Sequence, residues 1–249
     1  MEEGRELAIT DYFVRFLQRR DSLADKDLAR LRAIRTQHVS FASGEVIVPA
    51  DRAAKRSAMM LRGMSARSHQ LVGRPEERVI TALHVPGDFV DLHGFVLAGL
   101  EHSVVAVGTA EVEFIDHAEL TDITENFPHL TRLLWMATLI DAAVHRQWLV
   151  AAASLRSSAH LAHLLCEIYT RLNAVGAAGD MQFSLPLLQR ELADILGYSP
   201  IHVNRAVRDL RDRGLIRWSG ADITIIDWKG LATLARFDPT YLDIERLSR

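Results

Sequence analysis

Residues 185–213 read LPLLQRELADILGYSPIHVNRAVRDLRDR and run directly into GLIRWSGADITIIDW at 214–228. From Pro186 to Leu196 the apolar residues Leu187, Leu188, Leu192, Ile195 and Leu196 fall at helical spacing, and Gly197 ends the pattern. A second helix is predicted to start at Ser199, a good N-cap, with Pro200 at the first helical position where its missing N–H is harmless. Ile201, Val203, Ala206, Val207 and Leu210 supply its apolar positions; His202, Asn204, Arg205, Arg208 and Arg211 take the polar ones. Two short helices joined by a glycine-containing turn form a helix-turn-helix pattern.

Beyond Gly214, Leu215 and Ile216 begin a strand, Ser219-Gly220 turns, and Ile223, Ile225 and Ile226 return, which makes a two-stranded wing. Between Ser199 and Trp218 five arginines face two aspartates, inside a chain of formal charge -3. An arginine-bearing helix can approach phosphates and reach guanine edges in a major groove, so the local charge outweighs the global one as a clue to the partner.

With ELADILGYS, HVNRAVRDLRDRGLI and the Asp227-Trp228-x-x-Leu231 element in view, the stretch resembles the C-terminal winged helix-turn-helix of the Crp/Fnr superfamily of bacterial transcription regulators. In the N-terminal half, Val39–Phe41, Glu45–Val48, Ala58–Leu61, Arg78–Leu83, Ser103–Val107 and Glu111–Ile115 are strand candidates, with turns assigned to Gly44, Gly63, Gly73, Gly87 and Gly108. Such short strands indicate an antiparallel barrel or jelly roll. GEVIV, HVPGDFVDLHGF and VVAVGTAEVEFID follow in the order of the family's cyclic-nucleotide-binding-like domain. The resemblance implies an α+β chain: a helical leader at 1–36, a jelly roll (double-stranded β-helix) at 37–125, a central dimerisation helix at 126–154 and a winged helix-turn-helix at 155–249.

The sensor half departs from its nucleotide-binding relatives. There, a Gly-Glu pair follows the PGD-F turn, and a later Arg-Ser or Arg-Thr pair holds the cyclic phosphate. The matching positions here are Asp91-Leu92 and His102-Ser103. Histidine lacks the bidentate fork of arginine, and Asp91 brings negative charge near the phosphate position, so a cyclic AMP site is not expected. The candidate effector pocket comprises Met59, Met60, Asp91, Leu92, His93, His102 and Ser103; it either takes another small molecule or is closed by Met59, Met60, Leu92, Phe95 and Leu97.

Asp91, His93 and His102 have metal-ligand chemistry but no recognised ligand spacing, and no metal site is expected. The lone Cys166 excludes an intrachain disulfide and a cysteine-ligated iron–sulfur cluster, and fits a reducing cytoplasm. His160, His163 and Cys166 recur every third residue, but Leu161, Leu164 and Leu165 account for that helix by themselves. The acidic start, with Glu2, Glu3 and Glu6, is not a signal peptide, and the apolar run at 133–153 is interrupted by Asp141, His145, Arg146 and Gln147, so it is not read as a membrane span.

Helices are also expected from about Thr10 to Ile34, from Pro128 to about Ala153, and from Ser157 or Ser158 onward; Asp122–Glu125 reads as an acidic turn. On the central helix Leu133, Ala137, Ile140, Val144, Trp148 and Ala151 are assigned to dimerisation. A two-fold dimer on double-stranded DNA reads an inverted repeat spaced near one helical turn. Family matching makes Arg205 the leading base reader, with His202, Asn204 and Ile201 beside it; Ser184, Gln189, Ser199, Arg208, Arg211 and Arg217 are backbone anchors.

No catalytic residues are assigned. Asp91, His93, Glu101 and His102 supply acid–base groups without a nucleophile–base–orienter arrangement. Competing readings are a constitutive DNA-binding regulator without a ligand and a protein-interaction module that keeps the fold. RNA polymerase is a further partner if the protein activates, and an unidentified effector is compatible with the sensor half.

Overall fold

The computed structural model describes residues 11–50, 53–71 and 73–245, and Thr10, the expected start of the leader, lies outside them. The described residues divide into two compact units, one within 11–67 and 84–139, the other within 68–83 and 140–244.

The leader is two helices, α1 (Asp11–Arg20) and α2 (Asp25–Arg32). Phe13, Phe16 and Leu17 of α1 are buried, and the Phe13 ring meets Phe89 edge-on at 5.0 Å. Five strands follow: β1 (Thr36–Phe41), β2 (Val46–Val48), β3 (Arg56–Leu71), β4 (Arg74–His84) and β5 (Ser103–Asp116). Their sheet runs β1-β5-β3-β4, with β2 also on β5. β1 lies antiparallel to β5 from Thr36 opposite Ile115 to Phe41 opposite Ala110. Alternation on β5 turns Val104, Ala106, Ala110, Val112 and Phe114 into a core shared with Ile47, Met60, Val90 and Leu100.

Gly108 does not separate two strands as the sequence suggests: β5 is continuous through it at φ +62°. Gly63 is likewise inside β3 at φ +72°, where a β-carbon would lie 2.2 Å from the Thr109 carbonyl oxygen. β3 thus meets β5 at a point that only glycine admits, and Gly63 serves close approach rather than a turn. Residues 117–126, read in part as an acidic turn, are a full helix, α3 (His117–Asn126). Its acidic side chains have a partner distant in sequence: Arg30 of α2 donates to Glu119 at 2.8 Å and Asp122 at 2.7 Å.

The central helix is α4 (Pro128–Ser154). After it come α5 (Ser157–Ala174), β6 (Gln182–Ser184), α6 (Gln189–Leu196), α7 (Pro200–Asp212), β7 (Ile216–Ser219), β8 (Asp222–Ile225) and α8 (Trp228–Ala235). The wing has three strands in the order β6-β8-β7, because residues 182–184, which the sequence did not mark as a strand, pair with β8. Neither Ser157 nor Ser158 caps α5; Arg156 stands at the N-cap, and the Tyr198 hydroxyl accepts the Ser157 N–H at 3.1 Å.

α6 starts three residues later than its apolar spacing suggests, because the Glu191 carboxylate accepts the Leu188 N–H at 2.8 Å and fixes the first turn there. Gly197 closes α6 in the left-handed region at φ +67°. At the end of the wing Asp227 caps α8, accepting the Gly230 N–H at 2.9 Å, and Leu215 also crowds Gly230, which leaves no room for a β-carbon. At the centre of the second unit, fully buried Glu167 accepts from Trp148, Arg171 and Tyr241 at 2.7–3.2 Å.

Candidate nucleic-acid interface

Ser199 sets the start of α7: its hydroxyl contacts His202 Nδ1 at 2.9 Å and the His202 N–H at 3.4 Å, and Pro200 occupies the first turn. Val203, Ala206 and Leu210 face inward, so the opposite face is exposed. Ile201, Arg205 and Arg208 lie at steps of four and three residues and form one outward stripe, flanked by His202 and Asn204. Ile201 is 65% exposed, although most large aliphatic side chains of the unit are covered.

Arg205, Arg208, Arg211 and Arg217 are exposed, and among the described residues none of them is held in an ion pair; Arg213, by contrast, pairs with Asp209 at 3.0 Å. Two of the expected contact residues hold each other: Asn204 donates its amide to Gln189 Oε1 at 2.9 Å, which ties α7 to the start of α6. Ser184, at the end of β6, is exposed. Exposed Arg190, passed over in the sequence because nothing in its spacing marks it, stands beside Gln189.

The dimerisation residues need correction. Leu133, Ile140, Val144 and Ala151 are buried in their own chain, Ala137 is half-buried, and the Trp148 indole donates to Glu167. The stripe α4 leaves outside is Trp135, Leu139, Leu149 and Val150, with Trp135 66% and Leu149 72% exposed. α4 is apolar on almost every side, so periodicity alone could not say which face turns inward.

The expected effector residues are also only partly available. Met59 and Met60 are fully buried, with Met60 in the sheet core, and Ser103 Oγ accepts the Ala50 N–H at 3.1 Å. Leu92 is buried beside Asp91, while Leu97, one of the residues expected to close the pocket, is exposed.

Asp91 Oδ1 accepts the Ala58 N–H at 2.7 Å. Burial raises its carboxyl to about 7, against the opposing effects of the Ala58 bond and the Arg67 charge, so the negative charge read from sequence is only partly present near neutrality. The His93 and His102 rings are 5.4 Å apart, and burial, reinforced by Arg67, lowers His102 to about 4. Arg67, buried on β3, is the cation sequence reasoning missed; an arginine in a polar alternating strand gives no signal that it points inward.

Residues 159–234 match the Crp-like helix-turn-helix domain, which contains the whole capped α6–α7 pair and the wing. The chain is 28% identical over 155 residues to the transcriptional regulatory protein Btr of Bordetella pertussis, a match covering 62% of this chain and 64% of Btr. It is 25% identical over 179 residues to the transcriptional activator FnrA of Stutzerimonas stutzeri, covering 72% of each. The chain thus carries a Crp-like helix-turn-helix domain and is similar beyond it to regulators of the Crp/Fnr type.

Its fold agrees with that of solved Crp/Fnr regulators. FixK2 from Bradyrhizobium japonicum superposes with a TM-score of 0.70 at 22% identity, covering 80% of this chain and 96% of that one. A CRP/FNR-family regulator from Thermus thermophilus gives 0.58 at 19% identity, covering 81% and 99%. The matched domain is a helix-turn-helix, and the curated relatives it resembles are transcription regulators.

Proposed function

We propose that the protein acts in the cytoplasm as a homodimer that reads an inverted-repeat operator through α7, without cyclic AMP. The observation that carries this reading is the outward stripe of Ile201, Arg205 and Arg208 on a capped helix, with its guanidinium groups not held by carboxylates among the described residues. Arg205 reads a guanine edge, His202, Asn204 and Ile201 flank it, and Ser184, Gln189, Ser199, Arg208, Arg211 and Arg217 position the backbone. The exposed α4 stripe pairs with its copy and sets two α7 helices one turn of DNA apart.

Two cofactors familiar in the superfamily do not fit these residues. A cysteine-ligated iron–sulfur cluster takes several thiolates, and this chain has one cysteine, buried, with its thiol pushed up to about 12 by burial. Where nucleotide-binding members place an arginine for the cyclic phosphate, buried His102 is neutral at physiological pH. Filled positions at Met59 and Met60 support a regulator competent without a ligand in the jelly roll. RNA polymerase is the further partner where the operator allows activation.

Selection of bound duplexes from a random pool, with ligand-free protein at fixed salt, tests the reading. An inverted repeat is the expected product. Arg205→Ala should relax one position of each half-site by about 1–3 kcal/mol. Uniform weakening on every duplex, with no enriched motif, would refute it.

A further inference from the structure

A cleft of about 370 Å³ opens in the second unit, away from the α7 stripe. Ile80 of β4, Trp148 and Ala152 of α4, His160 and His163 of α5 and Leu196 of α6 are among its walls. Its volume falls in the range of small-molecule sites, which combine mostly apolar walls with a few polar groups. Thr81, His145 and Arg146 also line it, and two of its polar groups, the His160 and His163 imidazoles, are each more than nine-tenths buried.

His163 Nδ1 lies 3.4 Å from the Ala235 carbonyl, which can only accept, so Nδ1 carries the proton and Nε2 presents a lone pair. That Nε2 and His160 Nδ1 are buried without a partner among the described residues. Burial lowers His160 to about 4, so its ring is neutral at physiological pH. Buried polar atoms are ordinarily satisfied, and two open imidazole nitrogens on one apolar cleft fit a hydroxyl group, which both donates and accepts.

We propose that this cleft binds an uncharged, largely apolar small molecule of phenol or alicyclic-alcohol type, its hydroxyl satisfying the imidazole pair of His160 and His163. The site stands independently of the DNA reading, because binding is measured on the protein alone.

The test is calorimetric titration of the full-length protein with 1-naphthol, with naphthalene as the hydroxyl-free comparison. One 1-naphthol per chain is expected, bound about 3- to 10-fold more tightly than naphthalene, the value of one neutral hydrogen bond. Ala152 is exposed, so Ala152→Phe should fill the cleft without disturbing the fold and weaken 1-naphthol at least about 10-fold, with circular dichroism unchanged. His163→Phe should erase the preference for 1-naphthol over naphthalene. Absence of saturable binding, equal affinity of the wild type for both probes, or undiminished binding by folded Ala152→Phe would overturn the proposal.

Discussion

Asp91→Asn should make the protein more stable, and increasingly so as pH rises. The Asp91 carboxyl sits at about 7 in the fold, against 3.8 for an ordinary aspartate. Below about pH 4 both folded and unfolded chains hold the proton. Between about 4 and 7 the folded chain keeps a proton that the unfolded chain releases, so stability falls with rising pH and levels off above 7. A gap of about 3 pH units corresponds to roughly 4 kcal/mol at the plateau, a ceiling if every other group stays fixed.

Asparagine keeps an oxygen for the Ala58 N–H, at 2.7 Å in the wild type, and removes the titration. Urea unfolding of both proteins at pH 5 and pH 8.5 should therefore show the variant's advantage widening by about 2–3 kcal/mol. A pH-independent difference, or an advantage that shrinks toward pH 8.5, would refute the reasoning.

His129 predicts a pH dependence that must be separated from that of Asp91. Its Nδ1 donates to Asp27 at 2.6 Å and Nε2 approaches Asp21 at 3.2 Å, and the bond to Asp27, then that to Asp21, raises its pKa against the effect of burial. Its stabilisation is complete below about 6.5 and lost as pH rises through the raised folded value, so thermal melting should show the wild type's margin over His129→Gln shrinking from pH 6 to pH 8.5. Glu167→Leu, which removes the carboxylate paired with Arg171 and the acceptor of the Tyr241 hydroxyl in the second unit, should cost about 3–5 kcal/mol in denaturant unfolding. Trp135→Asp on the outer stripe should weaken self-association by at least about 30-fold in sedimentation experiments, while Trp148→Phe, changed on the inner face, should leave it nearly intact.

Local chemistry made the reading helix legible: Ser199, Pro200, Gly197 and Gly214 are punctuation whose meaning depends on the chain within a few residues. Features set by distant partners were not legible. α3 looked like an acidic turn because Arg30, which meets Glu119 and Asp122, is some 90 positions away. β6 is three residues long and owes its existence to β8. Gly63 looked like a turn because the demand for glycine comes from the close approach of β5 to β3, not from β3 alone.

The candidate site divides along the same line. Exposed arginines on α7 follow from helical periodicity, whereas the bond from Asn204 to Gln189 requires two helices to be placed. Asp91 shows the limit most clearly: its identity was read from sequence, but its charge depends on burial. On α4 the abundance of apolar residues concealed which of them were already covered.

Ile201 stands bare at the start of α7, where a polar residue would be more soluble. An aliphatic side chain in a major groove senses the methyl group on carbon 5 of thymine. Cytosine methylated at carbon 5 carries the same group at the same place. An operator position chosen by Ile201 would then be open to epigenetic change: methylating a cytosine there would mimic thymine at the contacted edge, without any alteration of the base sequence.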